Sequence, residues 1–457
     1  MKTPISATTT IYWFRNDLRL EDQPALTQAC QQSTRLLLVY CHSPSSWDKT
    51  KWNVSRTSQH RQFFLNSALA DLRHQLQQQG SDLLEITGKP EDVLPLLAND
   101  AGTVQIYCEE IAAPEEQDQV TALRASGLKV TTSWQSSLLN PADLAIPLDA
   151  LPDVFSHFRL MVESKQIKPS APLPRPADMS PLPEIYPALA KKWSALQMPA
   201  QHRSGNTATN EDSISDKTVL NVDGRSSFPY FLPPFSGGAS AAAAHLRQYF
   251  DRHLARNYKL TRNDLSGIDY STKFSPWLAS GALSARTVYQ ALKEYEAKYG
   301  ANDSTYWIWF ELLWRDYFRF LHLKYGRRLY RQQGLTNLSV PSHDAPRFEA
   351  WCNSQTGEPL VDAGMAELAA TGYLSNRLRQ IVASYLVHDL GCDWRAGAAW
   401  FESQLIDYDV YSNQGNWLYI SGRGTDPRNG RRFNIQKQAH DYDRDGTYQQ
   451  LWNTKST

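Results

Sequence analysis

Residues Tyr373–Trp417, YLSNRLRQIVASYLVHDLGCDWRAGAAWFESQLIDYDVYSNQGNW, decide how the chain is read. Asn376 and Arg379 stand three apart, so on a helix they share one face. Leu378, Ile381, Val382, Tyr385 and Leu386 line the other. Asp407, Asp409 and Asn413 then arrive among aromatic and apolar residues. Polar groups in a dry setting need partners. Either these satisfy one another or a ligand satisfies them.

Outward from that stretch, residues 236–436 keep a helical pattern, in segments 239–256, 276–282, 285–299, 303–325, 362–371, 375–389 and 394–406. The expected unit is an all-helical domain. Residues 8–140 differ. Short apolar runs at 9–14, 35–41, 82–87, 104–108 and 128–132 alternate with helical stretches at 55–79, 90–99 and 114–125. That alternation predicts a doubly wound parallel five-stranded sheet, an α/β domain covered on both faces. After the first strand comes RNDLRLEDQPAL in place of GxGxxG, so there is no dinucleotide fingerprint. Prolines crowd 141–199 and 200–227 is polar, so 141–235 reads as a long interdomain linker. Residues 437–457 read as a short polar tail.

Composition bounds the function. The 457 residues carry 47 Lys and Arg against 47 Asp and Glu, a formal net charge of zero. That argues against a large nonspecific nucleic-acid coat and leaves room for a local basic patch. Five scattered cysteines without a CxxC pair predict a reducing compartment, no disulfide framework and no zinc site. MKTPISATTTIYWF lacks the signal-peptide pattern, and no apolar run of about 18 residues exists. A soluble, cytoplasmic chain without a membrane span is expected.

Four constellations carry chemistry. Ser271, Thr272, Lys273, Phe274 and Ser275 precede Pro276, with Ser275 placed as an N-cap and Pro276 at the first helical position. Hydroxyls, a Lys and free backbone N–H groups at a helix start suit a phosphate or pyrophosphate; ordinary capping is the plainer alternative. On helix 303–325, Glu311 sits in a stripe of Trp307, Phe310, Trp314, Phe318 and Leu321. Desolvation there raises its pKa, unless Arg315 at i+4 counters it. Trp351, Trp394 and Trp417, taken one by one, read as core. Arg327, Arg328, Arg331, Arg423, Arg428, Arg431, Arg432 and Lys437 interleave with Tyr330, Tyr419 and Phe433, which suits a single-strand groove or a solvated face. No Ser-His-Asp order, metal cluster or Walker loop stands out. The sum suits a phosphate-bearing aromatic cofactor better than a hydrolytic site.

Long motifs then carry a resemblance. WFRNDLRLEDQPAL (13–26) resembles the opening signature of photolyases and cryptochromes, and the stretch ending at Trp417 resembles their flavin-binding core. RNYKLTRNDLSGIDYSTKFSPWLASGALSAR, FELLWRDYFRF and VFSHFRLMVE (154–163) resemble the DASH cryptochrome branch. Gln414 stands where an aromatic is expected, and Leu378 where Gly is expected. The resemblance implies an antenna domain and a helical domain holding FAD. Tyr258 and Ser271–Ser275 would contact the diphosphate and ribityl chain. Asn376, Arg379, Asp407, Asp409 and Asn413 would contact the isoalloxazine and adenine, with an Arg379–Asp407 ion pair and Asn413 facing flavin N5. Trp417, Trp394 and Trp351 would conduct electrons from flavin to surface. Glu311 and Trp314 would meet a pyrimidine dimer. Gln380 and Tyr419, where duplex-repairing enzymes resemble one another in carrying Met and Trp, imply single-stranded DNA as substrate, with Arg423 and Arg428 beside it. Glu110, or Glu109 in the adjacent register, would hydrogen-bond a methenyltetrahydrofolate antenna. The activity implied is light-dependent repair of cyclobutane pyrimidine dimers. The rival is a photosensory, nucleic-acid-binding flavoprotein with little or no repair.

Overall fold

A computed structural model describes residues 9–194, 223–428 and 430–453. Five parallel strands, β1 (Thr9–Phe14), β2 (Arg35–His42), β3 (Leu83–Thr87), β4 (Gln105–Glu109) and β5 (Lys129–Ser133), form a sheet of order β3-β2-β1-β4-β5. Ile11 pairs with Leu37 on one side and Ile106 on the other. Successive side chains point to opposite faces, and both faces are buried. Ile11, Trp13, Leu37, Val39 and Ile106 pack with Leu94, Leu97 and Leu123 of the helices Pro90–Asp100 and Pro114–Ala125. Tyr12, Phe14, Leu36 and Leu38 pack with Leu26, Leu69 and Leu72 of Pro24–Gln32 and Gln59–Gln77. Each fully buried aliphatic or aromatic side chain contributes roughly 1.5–3 kcal/mol, which is why near-continuous apolar runs mark these strands.

The charged motif after β1 has a structural use. Arg19 donates from Nη1 to the Gly281 carbonyl at 2.8 Å, and the Leu18 N–H donates to the Ser280 carbonyl at 3.1 Å. Asp22, with no exposed surface, takes Arg286 at 2.9 Å and accepts from the Ser284 hydroxyl. RNDLRLED therefore joins the α/β half to the start of the helix Ala285–Tyr299.

The linker stretch contains the helices Phe155–Ser164 and Tyr186–Ser194, and its chain lies along the sheet domain: Leu36 N–H donates to the Pro181 carbonyl at 3.0 Å, and Tyr186 donates to Asp82 at 2.8 Å. Most of the polar 200–227 segment lies outside the described residues.

The second half is helical. Around the long helix Asp303–Tyr325 stand Ala239–Asp251, Ala285–Tyr299, Pro359–Thr371, Asn376–Ser384 and Trp394–Gln404. The stretch expected as one helix over 375–389 changes at Tyr385 into a π turn, Tyr385–Asp389. A helix absent from the sequence-based segments, Val410–Ser421, follows Asp409, whose carboxylate caps it by accepting from Ser412 N–H at 2.7 Å. The expected tail is instead structured, with Ile435–Tyr442 and Thr447–Asn453 both helical. Tyr448 donates to the fully buried Glu367 at 2.5 Å, and Ser227 donates to its other oxygen at 3.2 Å. Burial raises the Glu367 carboxyl to about 7. Leu378, placed where Gly was expected, is fully buried and packs beside Gly364.

Candidate functional site

One cavity of about 450 Å³ in the helical half collects most of the residues selected from sequence. Tyr258, Ser271–Ser275, Asn376, Arg379 and Asp407 line it. So do Glu311, Trp314, Gln380 and Tyr419. Asp409 and Asn413 stand apart, in an adjoining cavity of about 90 Å³ that shares Asn376, Arg379, Asp407 and Asn416 with the larger one.

The phosphate end departs from its expected geometry by one residue. The helix runs Ser275–Ser280, with Phe274 in the capping position and no side-chain cap. Lys273 just before it adopts φ +56°, a left-handed conformation that turns the chain into the helix. Its side chain is buried, with Nζ 3.4 Å from the centroid of Tyr270 and 4.9 Å from that of Tyr373. No protein group hydrogen-bonds that Nζ. Burial pushes the ammonium well below the usual lysine range, against the pull of Glu367.

At the polar end Arg379 meets Asp407 at 2.8 Å and also donates to the Leu374 carbonyl at 2.8 Å. Asp407 keeps its second oxygen, Oδ1, buried and without a protein donor. Burial opposes ionisation of Asp409, yet Arg319 and Arg315 hold it down at about 2. Its ion pair with Arg319 and its helix cap occupy the carboxylate, and it lines the smaller of the two adjoining cavities. Asn413 donates from Nδ2 to the Ala398 carbonyl at 3.0 Å. Gln414 is buried and donates to the Leu329 carbonyl at 2.8 Å, so an amide takes the aromatic's place by tying two helical segments together.

The partner expected for Glu311 is corrected. Arg315 points away and donates to the carbonyls of Leu278, at 3.0 Å, and Ser136. Arg262, 49 residues upstream, pairs with Glu311 and covers Trp307 at 4.4 Å. Burial still raises the Glu311 carboxyl, with Arg262 opposing. Trp314 stacks on Phe155 with centroids 3.7 Å apart at 12°, and Tyr419 meets Trp314 edge-on at 6.0 Å. Neither Arg262 nor Phe155 was singled out from sequence; the apolar VFSHFRL run was the only signal for the latter.

Two further expectations are corrected. Arg423 is buried, while Arg428 stays exposed and pairs with Asp426 at 3.2 Å. The three tryptophans do not reach the surface: Trp351 is 0% exposed, Trp394 1% and Trp417 1%. Trp417 meets Trp351 at 6.5 Å, whereas Trp394 makes no ring contact with either and donates to the Gln332 carbonyl at 3.2 Å. All three belong to one apolar cluster, and Trp394 also lines a cleft between the two halves.

Between the two halves lies a cleft of about 580 Å³ lined by Arg56, Arg61, Arg327, Arg331, Glu115 and Glu116, among others. Glu109 and Glu110 do not line it. Glu109 ends β4 buried, its carboxyl raised to about 8 by burial, and the Glu110 N–H donates to the Ser133 carbonyl at 2.9 Å. Among the described residues no cluster suits a metal ion, and no helix is long and apolar enough to cross a membrane.

A cavity offering an unpartnered buried ammonium, an unpartnered carboxylate oxygen and a wall of aromatics fits an anionic, ring-bearing cofactor. Comparison with known proteins gives the class. The FAD binding domain of DNA photolyase matches residues 307–455, and the DNA photolyase family matches residues 10–177. A cryptochrome DASH of Gloeobacter violaceus is 44% identical over 98% of this chain and 86% of the relative's length. One from Xenopus laevis is 43% identical over 96% and 81%. The crystal structure of a Synechocystis sp. PCC6803 cryptochrome superposes with a TM-score of 0.87 at 40% identity, covering 97% of this chain and 88% of that one. A class III photolyase from Agrobacterium tumefaciens superposes at 0.77 with 25% identity, covering 99% and 88%. The architecture is that of FAD-binding flavoproteins of the photolyase and cryptochrome class. Within it, the chain belongs to the cryptochrome DASH family.

Proposed function

We propose that the chain is a light-dependent lyase that splits cyclobutane pyrimidine dimers in single-stranded DNA. The carrying observation is that one cavity is lined both by Ser271–Ser275, Asn376, Arg379 and Asp407 and by Glu311, Trp314, Gln380 and Tyr419. A cofactor held by the first set and a base held by the second would lie within one cavity. FAD held by Lys273, Arg379 and Asp407 would supply light-driven electron-donor chemistry there, with no net redox change in the repair.

The protein's own residues bind and orient. Lys273 and the backbone at the start of Ser275–Ser280 would take the diphosphate, and the Arg379–Asp407 pair would hold the isoalloxazine edge. Glu311 would hydrogen-bond the dimer's carbonyl edge as a donor, which its raised pKa favours. Trp314, with one face on Phe155, offers a stacking platform supplemented by Tyr419. Tyrosine is a smaller platform than tryptophan, and flipping a dimer from a duplex costs a few kcal/mol that a single strand does not require. A folate antenna would occupy the interdomain cleft, where arginines suit a carboxylate tail and Glu115 and Glu116 suit ring N–H groups.

The test is illumination of the FAD-reduced protein with a thymine-dimer oligonucleotide, single-stranded and duplex. Splitting in the single strand, lost in Glu311→Gln with FAD content intact, is expected. No splitting by the parent protein would sink the repair reading and leave the photosensory one. An extra near-UV band in the purified protein, absent from Glu116→Ala, is expected for the folate.

A further inference from the structure

Beside the large cavity lies a second one that the proposed chemistry does not use. It holds about 220 Å³ and is lined from the helices Asp303–Tyr325 and Val410–Ser421. Trp314, Phe318 and Tyr419 line both cavities. The smaller one adds Phe155 and Tyr317, with Leu329, Leu335 and Leu418. Trp314 lies 5.5 Å from Phe318, 5.7 Å from Tyr317 and 6.0 Å from Tyr419, and it stacks on Phe155. The wall is therefore largely rings and leucine side chains.

Polar groups gather at the rim, on Ser156, Thr425, Asp426 and Arg428. Asp426 pairs with Arg428 and Arg431, each at 3.2 Å, and the Arg431 guanidinium lies 4.7 Å from the centroid of Tyr419. Two cations against one carboxylate leave this rim positive, and 66% of the Arg428 side chain is exposed. Asp153, the other acid at the rim, is matched by Lys324 at 2.7 Å. A ring-lined space with a cationic edge fits a planar ring carried on an anionic backbone. The volume lies below the roughly 300 Å³ at which pockets for drug-sized ligands begin, which limits the occupant to one ring system.

We propose that this cavity takes the nucleobase next to the dimer in the same strand, with its phosphate at Arg428 and Arg431. The inference rests on the repair reading above and extends it to the strand around the lesion. Trp314 and Tyr419 front both spaces, so neighbouring nucleotides of one strand can enter both. Stacking on rings tolerates any sequence, because every base has a π-face. The cavity also bears on the choice of strand. In a duplex a second base would have to leave its stack and its partner, whereas in a single strand it has no partner to leave.

The experiment measures binding by fluorescence anisotropy, and splitting by absorbance, for the FAD-reduced protein. The ligands are single-stranded thymine-dimer oligonucleotides, intact or with an abasic site immediately 5′ or 3′ of the dimer. An abasic site on one side is expected to weaken binding by about tenfold, and on the other side to leave it unchanged. Leu335 lines the small cavity and not the large one. Leu335→Trp, which fills the small cavity, should bind the intact strand as weakly as the abasic one. Its FAD content and its splitting of the bare dinucleotide dimer should match the parent. Equal binding of all three strands by the parent, or an equal loss on both sides, would overturn the proposal whatever the variant does. So would a Leu335→Trp protein that still discriminates, or a free nucleoside that binds the parent as tightly as the intact strand. A parent that discriminates the abasic strand without splitting dimers would instead refute the repair reading alone.

Discussion

Gly397, one turn into the helix Trp394–Gln404, is a point of close approach between helices in the helical half, and adding one methyl there tests the packing. A Cβ on Gly397 would lie 2.1 Å from Cη2 of Trp417, 2.6 Å from its Cζ3 and 2.6 Å from Cδ2 of Leu386. All three fall short of the roughly 3.5–4.0 Å optimum between carbon atoms, the closest by well over an ångström. Gly397 has no exposed neighbour to yield, since Trp417 is held edge-on by Phe401 at 5.1 Å and by Trp351 at 6.5 Å. Overpacking of this kind costs about 1–3 kcal/mol. Alanine's better helix propensity returns about 1 kcal/mol. The expected net for Gly397→Ala is a loss of up to about 2 kcal/mol, together with a displaced Trp417 ring. Urea unfolding measures the loss, and near-UV circular dichroism with the photoreduction rate measures the displacement. A variant as stable as its parent, with unchanged tryptophan signals, would refute the close approach of these two helices.

Three other perturbations probe the helical half. The folded Glu367 carboxyl lies near 7, above its usual 4.5, so its share of stability is complete below about pH 4.5 and is lost as pH rises through 7. The span corresponds to about 3 kcal/mol, and Glu367→Gln is expected to flatten the decline between pH 5 and pH 8 in urea titrations; equal slopes in parent and variant would contradict the buried proton. Lys273→Met removes a buried ammonium that no protein group hydrogen-bonds, so the flavin-free chain should gain stability while FAD affinity falls roughly tenfold or more; a gain or loss of both together would exclude Lys273 from the anion site. Asp407→Asn leaves the partly exposed Arg379 without its ion pair and is expected to cost about 1–3 kcal/mol and to lower FAD retention on gel filtration; full retention at unchanged stability would remove that pair from the binding site.

The sheet was legible because a parallel strand buried on both faces must be apolar throughout, and TTIYWF and RLLLVYC can be little else. Much of the cavity lining was legible for the opposite reason: Asn376 and Arg379 share one helix face while Leu378, Ile381 and Val382 line the other, and Asp407 stands between Ile406 and Tyr408. The helix Val410–Ser421 was not, because Asn413, Gln414, Gly415 and Asn416 break its apolar stripe. Gly415 is required there by Phe318, whose Cδ1 would stand 2.1 Å from an added Cβ. The two C-terminal helices were hidden because their anchor, Tyr448 on Glu367, joins residues 81 apart. The Arg262–Glu311 pair and the Phe155–Trp314 stack are likewise tertiary, and no helical spacing announces them. RNDLRLED was conspicuous as a motif, yet its work at the domain junction depends on partners near residue 284.

The helix Asp303–Tyr325 explains why chemistry and scaffold are coupled in this chain. Glu311 and Trp314 face the large cavity. Asp316, fully buried, accepts from the Leu138 and Leu139 N–H groups at 2.8 and 2.7 Å and so fixes the segment that leaves the sheet domain. Burial lifts its carboxyl to about 6 despite those bonds. Arg319, one turn further, pairs with the Asp409 that caps Val410–Ser421. A single rod thus sets the distance between the proposed substrate contacts, the domain junction and the helix carrying Asn413, Trp417 and Tyr419. Loss of Asp316 or Arg319 leaves an uncompensated buried charge or unpaired N–H groups and also lets the cavity wall move. Substitutions on this scaffold side should therefore impair cofactor retention although neither side chain lines the cavity, whereas Glu311→Gln, on the cavity side, should spare retention and alter only what happens to the substrate.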